Sequence, residues 1–160
     1  MSTCLFDKNT FIWTEGGYKN ADSFTDQKFV RSMVSGTETL VPIEKVKYDR
    51  YTGDLVTVSD SGGRTLFSVT ESQRVVWNDR YGKPQISTAK EFLTKINIDG
   101  WGYIFSAPSG SSTRSGTYKI LSDNVYINNV VDHLVWGVRT KHDNIVIKSE
   151  SSPIVFSDIG

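Results

Sequence analysis

Short runs of alternating apolar and polar residues, each closed by turn residues, are the strongest limit on what this chain can fold into. A period of two puts every second side chain on one face of a strand, so each run buries one face and leaves the other wet. Thr10-Phe11-Ile12-Trp13-Thr14 stops at Glu15-Gly16-Gly17, and Lys28–Val34 (KFVRSMV) stops at Ser35-Gly36. Leu40–Tyr51 alternates through Val41 and Ile43 and, after a slip, Val46 and Tyr48; its Pro42 suits an edge or a strand start. Asp54–Ser59 (DLVTVS) and Thr65–Thr70 (TLFSVT) flank Asp60-Ser61-Gly62-Gly63, a Gly-rich hairpin connection. Arg74–Trp77 (RVVW) follows, and three more strand signals end the chain: Leu134–Thr140, Asn144–Lys148 and Pro153–Phe156. One segment breaks the pattern. Ile86–Ile96 (ISTAKEFLTKI) reads as a helix capped by Ser87 or Thr88, with Glu91 completing a capping box and Ala89, Phe92, Leu93 and Ile96 along one face. The Ser/Gly-rich tract Pro108–Gly116 reads as an exposed loop. With no fixed-period repeat, residues 1–160 read as a single all-β domain with one short helix.

Charge and cysteine usage narrow the function classes. Eighteen Lys and Arg balance 18 Asp and Glu. A neutral chain has no bulk electrostatic hold on duplex nucleic acid or an anionic membrane, so neither is an expected partner. No stretch approaches the roughly 18 apolar residues of a membrane span. The start, MSTCLFDKNTF, lacks the basic and apolar regions of a signal peptide. The expectation is a soluble, cytoplasmic (intracellular) monomer, since no heptad pattern asks for a partner. Cys4 is the only cysteine, which excludes an internal disulfide and a Cys-based zinc site. His133 and His142 alone cannot build a His-rich metal centre, and no GxGxxG, P-loop, GxSxG or HExxH is present. Neither a metal nor a cofactor is expected. Trp13, Trp77, Trp101 and Trp136 read as packing residues, and His133 as structural.

What remains distinctive is how polar groups sit at the two chain ends. Cys4-Leu5 precedes Thr10-Phe11-Ile12 and Gly16-Gly17; Asp54–Val58 is followed by Leu66–Val76 with Thr70-Glu71-Ser72-Gln73 inside it. Val135–Thr140 leads to His142 and Asn144–Ile147, and Pro153–Phe156 leads to Ser157-Asp158. In this collinear order the four pieces resemble the splicing blocks of the Hint (hedgehog/intein) superfamily, in particular a mini-intein or a phage-type intein-like domain. The resemblance runs from Cys4 to Asp158, and the length matches a member without a homing endonuclease. It implies an all-β horseshoe of two pseudo-symmetric interleaved β subdomains with both termini at one site. The implied partners are flanking polypeptide segments (exteins) in cis, with Met1-Ser2-Thr3 and Ile159-Gly160 as extein or tag remnants.

The chemistry implied is N-terminal thioester formation at Cys4, helped by the Thr and His of the second block, which fall here on Thr70 and Gln73. A glutamine donates hydrogen bonds but cannot cycle a proton near neutral pH. At the far end the family's His-Asn pair falls on Ser157-Asp158, and Ile159 stands where splicing needs a Cys, Ser or Thr acceptor. His142 matches the family's remaining histidine and is expected near the C-terminal junction. The reading is therefore a self-cleaving, single-turnover domain in which C-terminal cleavage and full splicing are impaired at Gln73, Ser157, Asp158 and Ile159. The competing reading is a non-catalytic all-β structural or binding module, for example an insertion in a phage protein, with Cys4 incidental.

Overall fold

The computed structural model describes residues 5–35, 37–107, 116–151 and 153–158. Cys4, Ile159 and most of the Ser/Gly tract lie outside the described residues. The N-terminal strands are β1 (Phe6–Asp7), β2 (Phe11–Thr14), β3 (Gly17–Lys19), β4 (Phe29–Val34) and β5 (Thr37–Pro42). Next come β6 (Lys45–Ser59), β7 (Thr65–Thr70), β8 (Arg74–Asn78) and β9 (Pro84–Thr88), then the helix α1 (Ala89–Asp99). The chain continues through β10 (Trp101–Phe105), β11 (Thr117–Leu121), β12 (Val125–Arg139), β13 (Asn144–Lys148) and β14 (Ile154–Ser157).

Most of the alternating runs are strands at or near the positions read from the sequence. β12 begins at Val125, well before the Leu134 read from the sequence, β10 and β11 fall where no strand was read, and two further boundaries differ. The Leu40–Tyr51 run divides at Ile43-Glu44 into the end of β5 and the start of β6, and the latter runs straight on into Asp54–Ser59. Pro42 ends β5, an outer strand of its sheet, where its missing N–H costs no ladder bond. The helix begins three residues later than Ile86, because Pro84–Thr88 pairs with β8 and leaves Ile86 exposed. Thr88 is the cap: its hydroxyl accepts the Glu91 N–H, and the Glu91 carboxylate accepts from the Thr88 N–H. Ala89, Phe92 and Ile96 are its buried face, and Gly100 closes it in the left-handed region at φ 90°.

Three sheets result. β1, β12, β6 and β7 close into a small barrel; β11, β10, β8 and β9 form a four-stranded sheet. The third holds β14, β13, β2, β4 and β5, with β3 on β2. The chain ends thus interleave, since β13 pairs with β2 in the register Ile147–Ile12 and Lys148–Phe11. The barrel is framed by the two 15-residue strands β6 and β12, whose register shifts between Val130 and His133. At this bulge Gly53 has φ 152°, where a side chain is strained, and a Cβ there would lie 2.9 Å from the Tyr51 hydroxyl, so glycine suits the bend.

One aromatic cluster joins the two chain ends to the barrel. Phe156 of β14 meets Phe6 of β1 at 5.4 Å and Phe67 of β7 at 4.8 Å, both edge to face, and all three are buried. The fold therefore seats residue 6 and residue 156 against each other before any polar contact is considered.

Candidate functional site

The site is built around the turn that ends β7. The Gln73 N–H donates to the Thr70 carbonyl at 3.0 Å, closing a four-residue turn through Glu71 and Ser72. The start of α1 locks this turn from behind: Ala89 N–H reaches the Gln73 carbonyl at 2.7 Å and Lys90 N–H the Glu71 carbonyl at 3.0 Å. Two of the helix's otherwise orphaned first-turn donors are thus spent on fixing the turn.

The two ends of the turn hold the two ends of the chain. Thr70, fully buried, accepts the Leu5 N–H on its hydroxyl at 3.0 Å and donates its own N–H to the Leu5 carbonyl at 3.0 Å. The residue immediately after Cys4 is therefore fixed through both of its backbone groups. Gln73, also fully buried, donates its side-chain amide to the Ser157 carbonyl at 3.2 Å and the Asp158 carbonyl at 3.1 Å. The same nitrogen lies 3.3 Å from the Arg74 carbonyl. Three carbonyl acceptors on one side orient the amide nitrogen toward them. The Gln73 Oε1 on the other side is buried without a hydrogen-bond partner among the described residues.

Asp158 is fully buried, and its carboxylate is compensated from two directions. Thr140 N–H donates to Oδ2 at 2.7 Å, and the half-exposed Arg74 guanidinium lies 3.5 Å from Oδ1. The Asp158 N–H continues the ladder onto the Asp143 carbonyl at 3.2 Å. Ser157 is buried; its carbonyl serves Gln73, while its hydroxyl makes a long 3.5 Å contact with the Asp143 carbonyl.

Of the residues singled out from the sequence, Thr70, Gln73, Ser157 and Asp158 come together. The N-terminal role that the resemblance implies for Gln73 concerns Thr3 and Cys4, which lie outside the described residues. Among the described residues the Gln73 amide hydrogen-bonds the Ser157, Asp158 and Arg74 carbonyls. His142 is an exposed residue of the turn between β12 and β13. Its backbone closes that turn, accepting from the Asn144 side chain and donating to the Thr140 hydroxyl. His133, read as structural, bonds Asp7 at 2.6 Å and ties β12 to β1. Arg74 and Thr140 escaped the sequence reading. Arg74 adjoins Gln73 and was legible as a neighbour, whereas Thr140 acts through a backbone N–H, which no residue type announces.

No family model and no curated protein matches this chain. Solved structures do. A class 3 split intein, AceL NrdHF in a splice-inactive variant, superposes with a TM-score of 0.71 at 17% identity over 96% of this chain and 97% of its own. An intein from a hyperthermophile gives 0.71 at 17% identity, covering 96% and 99%. A bacterial intein-like domain from Clostridium thermocellum gives 0.69 at 10% identity, covering 98% and 100%. The chain has the Hint (hedgehog/intein) fold. The all-β architecture with one short helix expected from the sequence is thus found over nearly the whole chain. In this intein-like domain the turn Thr70–Gln73 is the place where both chain ends are held.

Among the described residues no group of His, Cys, Asp and Glu is arranged to hold a metal ion, and no helix is long and apolar enough to cross a membrane.

Proposed function

We propose that this domain is an autoprocessing intein-like element that acts on its own flanking segments. Its first step is attack of the Cys4 thiolate on the Thr3 carbonyl carbon. The carbon–nitrogen bond between Thr3 and Cys4 breaks, the nitrogen takes up a proton to become the Cys4 amine, and a thioester links Thr3 to Cys4. A thiol is the natural nucleophile for this step once deprotonated, and a group positioned at the breaking amide lowers the barrier. The observation that supports the reading best is the double grip of one rigid turn: Thr70 on both backbone groups of Leu5, and Gln73 on the Ser157 and Asp158 carbonyls.

Completion at the other end is the weak step. The Asp158 carboxylate is engaged by Thr140 N–H and Arg74, so it must leave both before it can reach its own carbonyl carbon. Ile159 offers no hydroxyl or thiol to receive the acyl group. The domain is therefore read as forming the N-terminal thioester and stopping short of splicing.

The test places the full chain between two reporter proteins and adds dithiothreitol or hydroxylamine. Release of the upstream reporter at the Thr3–Cys4 bond is expected, and Cys4→Ala abolishes it. Equal inertness of both proteins refutes the catalytic reading and favours a structural module.

A further inference from the structure

We propose that Gln73 polarises the acyl carbon of the C-terminal junction: its side-chain amide holds the Asp158 carbonyl oxygen, the atom that becomes an oxyanion when the bond to Ile159 is cut. This rests on the autoprocessing reading and assigns Gln73 to the end of the chain opposite from the one its place in the second block implies.

Three observations carry it. The amide nitrogen is 3.1 Å from the Asp158 oxygen, within the range of a donor to a developing oxyanion. It has two hydrogens and three carbonyls within 3.1–3.3 Å, so in the ground state its donation is divided. As the Asp158 oxygen gains negative charge, donation concentrates there, and an interaction that strengthens toward the transition state is the kind that accelerates a reaction. Third, the amide is fully buried and its Oε1 has no partner among the described residues, although native structures seldom leave such an acceptor unmatched. The helix-locked turn holds that donor in advance of the reaction, so little reorganisation is needed when charge appears.

With Asp158 as it stands, cleavage runs through the side chain. A carboxylate oxygen, once free of Thr140 and Arg74, attacks the Asp158 carbonyl carbon; the bond to the Ile159 nitrogen breaks as that nitrogen takes a proton from water, and the hydroxide so formed opens the resulting anhydride. In the Asp158→Asn variant the side-chain nitrogen attacks instead, one of its protons passes to the Ile159 nitrogen, and a succinimide forms. Both routes place the oxyanion on the oxygen that Gln73 holds.

The experiment uses the full chain with a reporter after Gly160 and another before Met1. Asp158→Asn supplies the better nucleophile, and downstream release is followed by gel, with the succinimide identified by mass spectrometry. Gln73→Met, similar in length but without donors, is expected to slow C-terminal release about 10²-fold, while thiolysis before Cys4 falls by no more than about twofold. Gln73→Asn, whose amide is one methylene too short, serves as a second variant should the methionine fail to melt cooperatively. The proposal is overturned if the Gln73 variants slow the N-terminal reaction as much as the C-terminal one. It is also overturned if Asp158→Asn with Gln73 intact releases no downstream reporter. Failure of the autoprocessing reading itself is seen separately, as absence of Cys4-dependent thiolysis.

Discussion

Thr70→Val isolates the grip on the N-terminal segment. Valine keeps the size and branching of threonine, so the buried packing at the end of β7 is retained while the hydroxyl is lost. The Leu5 N–H then sits in a fully buried position without its 3.0 Å acceptor. Leaving a buried donor unmatched costs about 1–3 kcal/mol, and a central figure of about 2 kcal/mol corresponds to about a thirtyfold change in a population. The loss is expected to act locally. β1 has only two residues, held by three register pairs: Phe6 with Trp136, Asp7 with Val135, and Phe6 with Val69. Such a short strand opens without global unfolding. Native-state hydrogen exchange on the peptide beginning at Leu5 should therefore speed up by about thirtyfold. Amides of β6 and β12 outside the β1 contact should change little. Thiolysis before Cys4 should fall by a similar factor, and Thr70→Ser should recover most of both effects. Exchange at Leu5 and Phe6 that is the same in Thr70→Val and the parent chain refutes the claim that this hydroxyl secures the N-terminal segment.

Two further outcomes follow from the packing and the charges. Phe156→Ala empties the contact between β14, β1 and β7 and should destabilise the fold by about 3–5 kcal/mol, read as a lower midpoint in urea; a loss below about 1 kcal/mol means Phe6 and Phe67 do not depend on it. Asp60 and Asp79 have carboxyls held below the usual aspartate range, Asp60 chiefly by the Ser151 hydroxyl and Asp79 chiefly by the Lys83 N–H. A lowered folded-state pKa contributes stability that is complete above the unfolded value of 3.8 and is lost as pH falls through the folded one. Stability should thus drop below about pH 4, and Asp60→Asn with Asp79→Asn should flatten that drop; an unchanged acid slope in the double variant counts against these contacts.

Much of the architecture was legible because it depends on local rules. The capping pair Thr88 and Glu91, the Gly-rich hairpin between β6 and β7, the alternation in β2 and β4 and the short apolar run of β13 each express one element's own geometry. The first half of β12 (Tyr126–Val131) carried no such signal, since its side chains are largely exposed and it is held as a strand by backbone pairing with β6. β9 was absorbed into the helix reading for the same reason. Its Ile86, apolar and at helical spacing from Ala89, faces solvent beside β8.

The site divides along the same line. Residue types and their order along the chain were enough to single out Cys4, Thr70, Gln73, Ser157 and Asp158, because reactive and hydrogen-bonding side chains are visible as letters. Which end of the chain each one serves was not, because that depends on where backbone carbonyls and amides lie in space. Gln73 reaches the Ser157 and Asp158 carbonyls 84 and 85 residues away, and Asp158 is held by the backbone of Thr140 and the guanidinium of Arg74. Every residue carries the same carbonyl and every one but proline the same amide, so the sequence by itself determined most of the strands, the helix cap and the set of reactive groups. Only the tertiary structure, by closing β1 and β14 onto one turn, decided which backbone those groups meet.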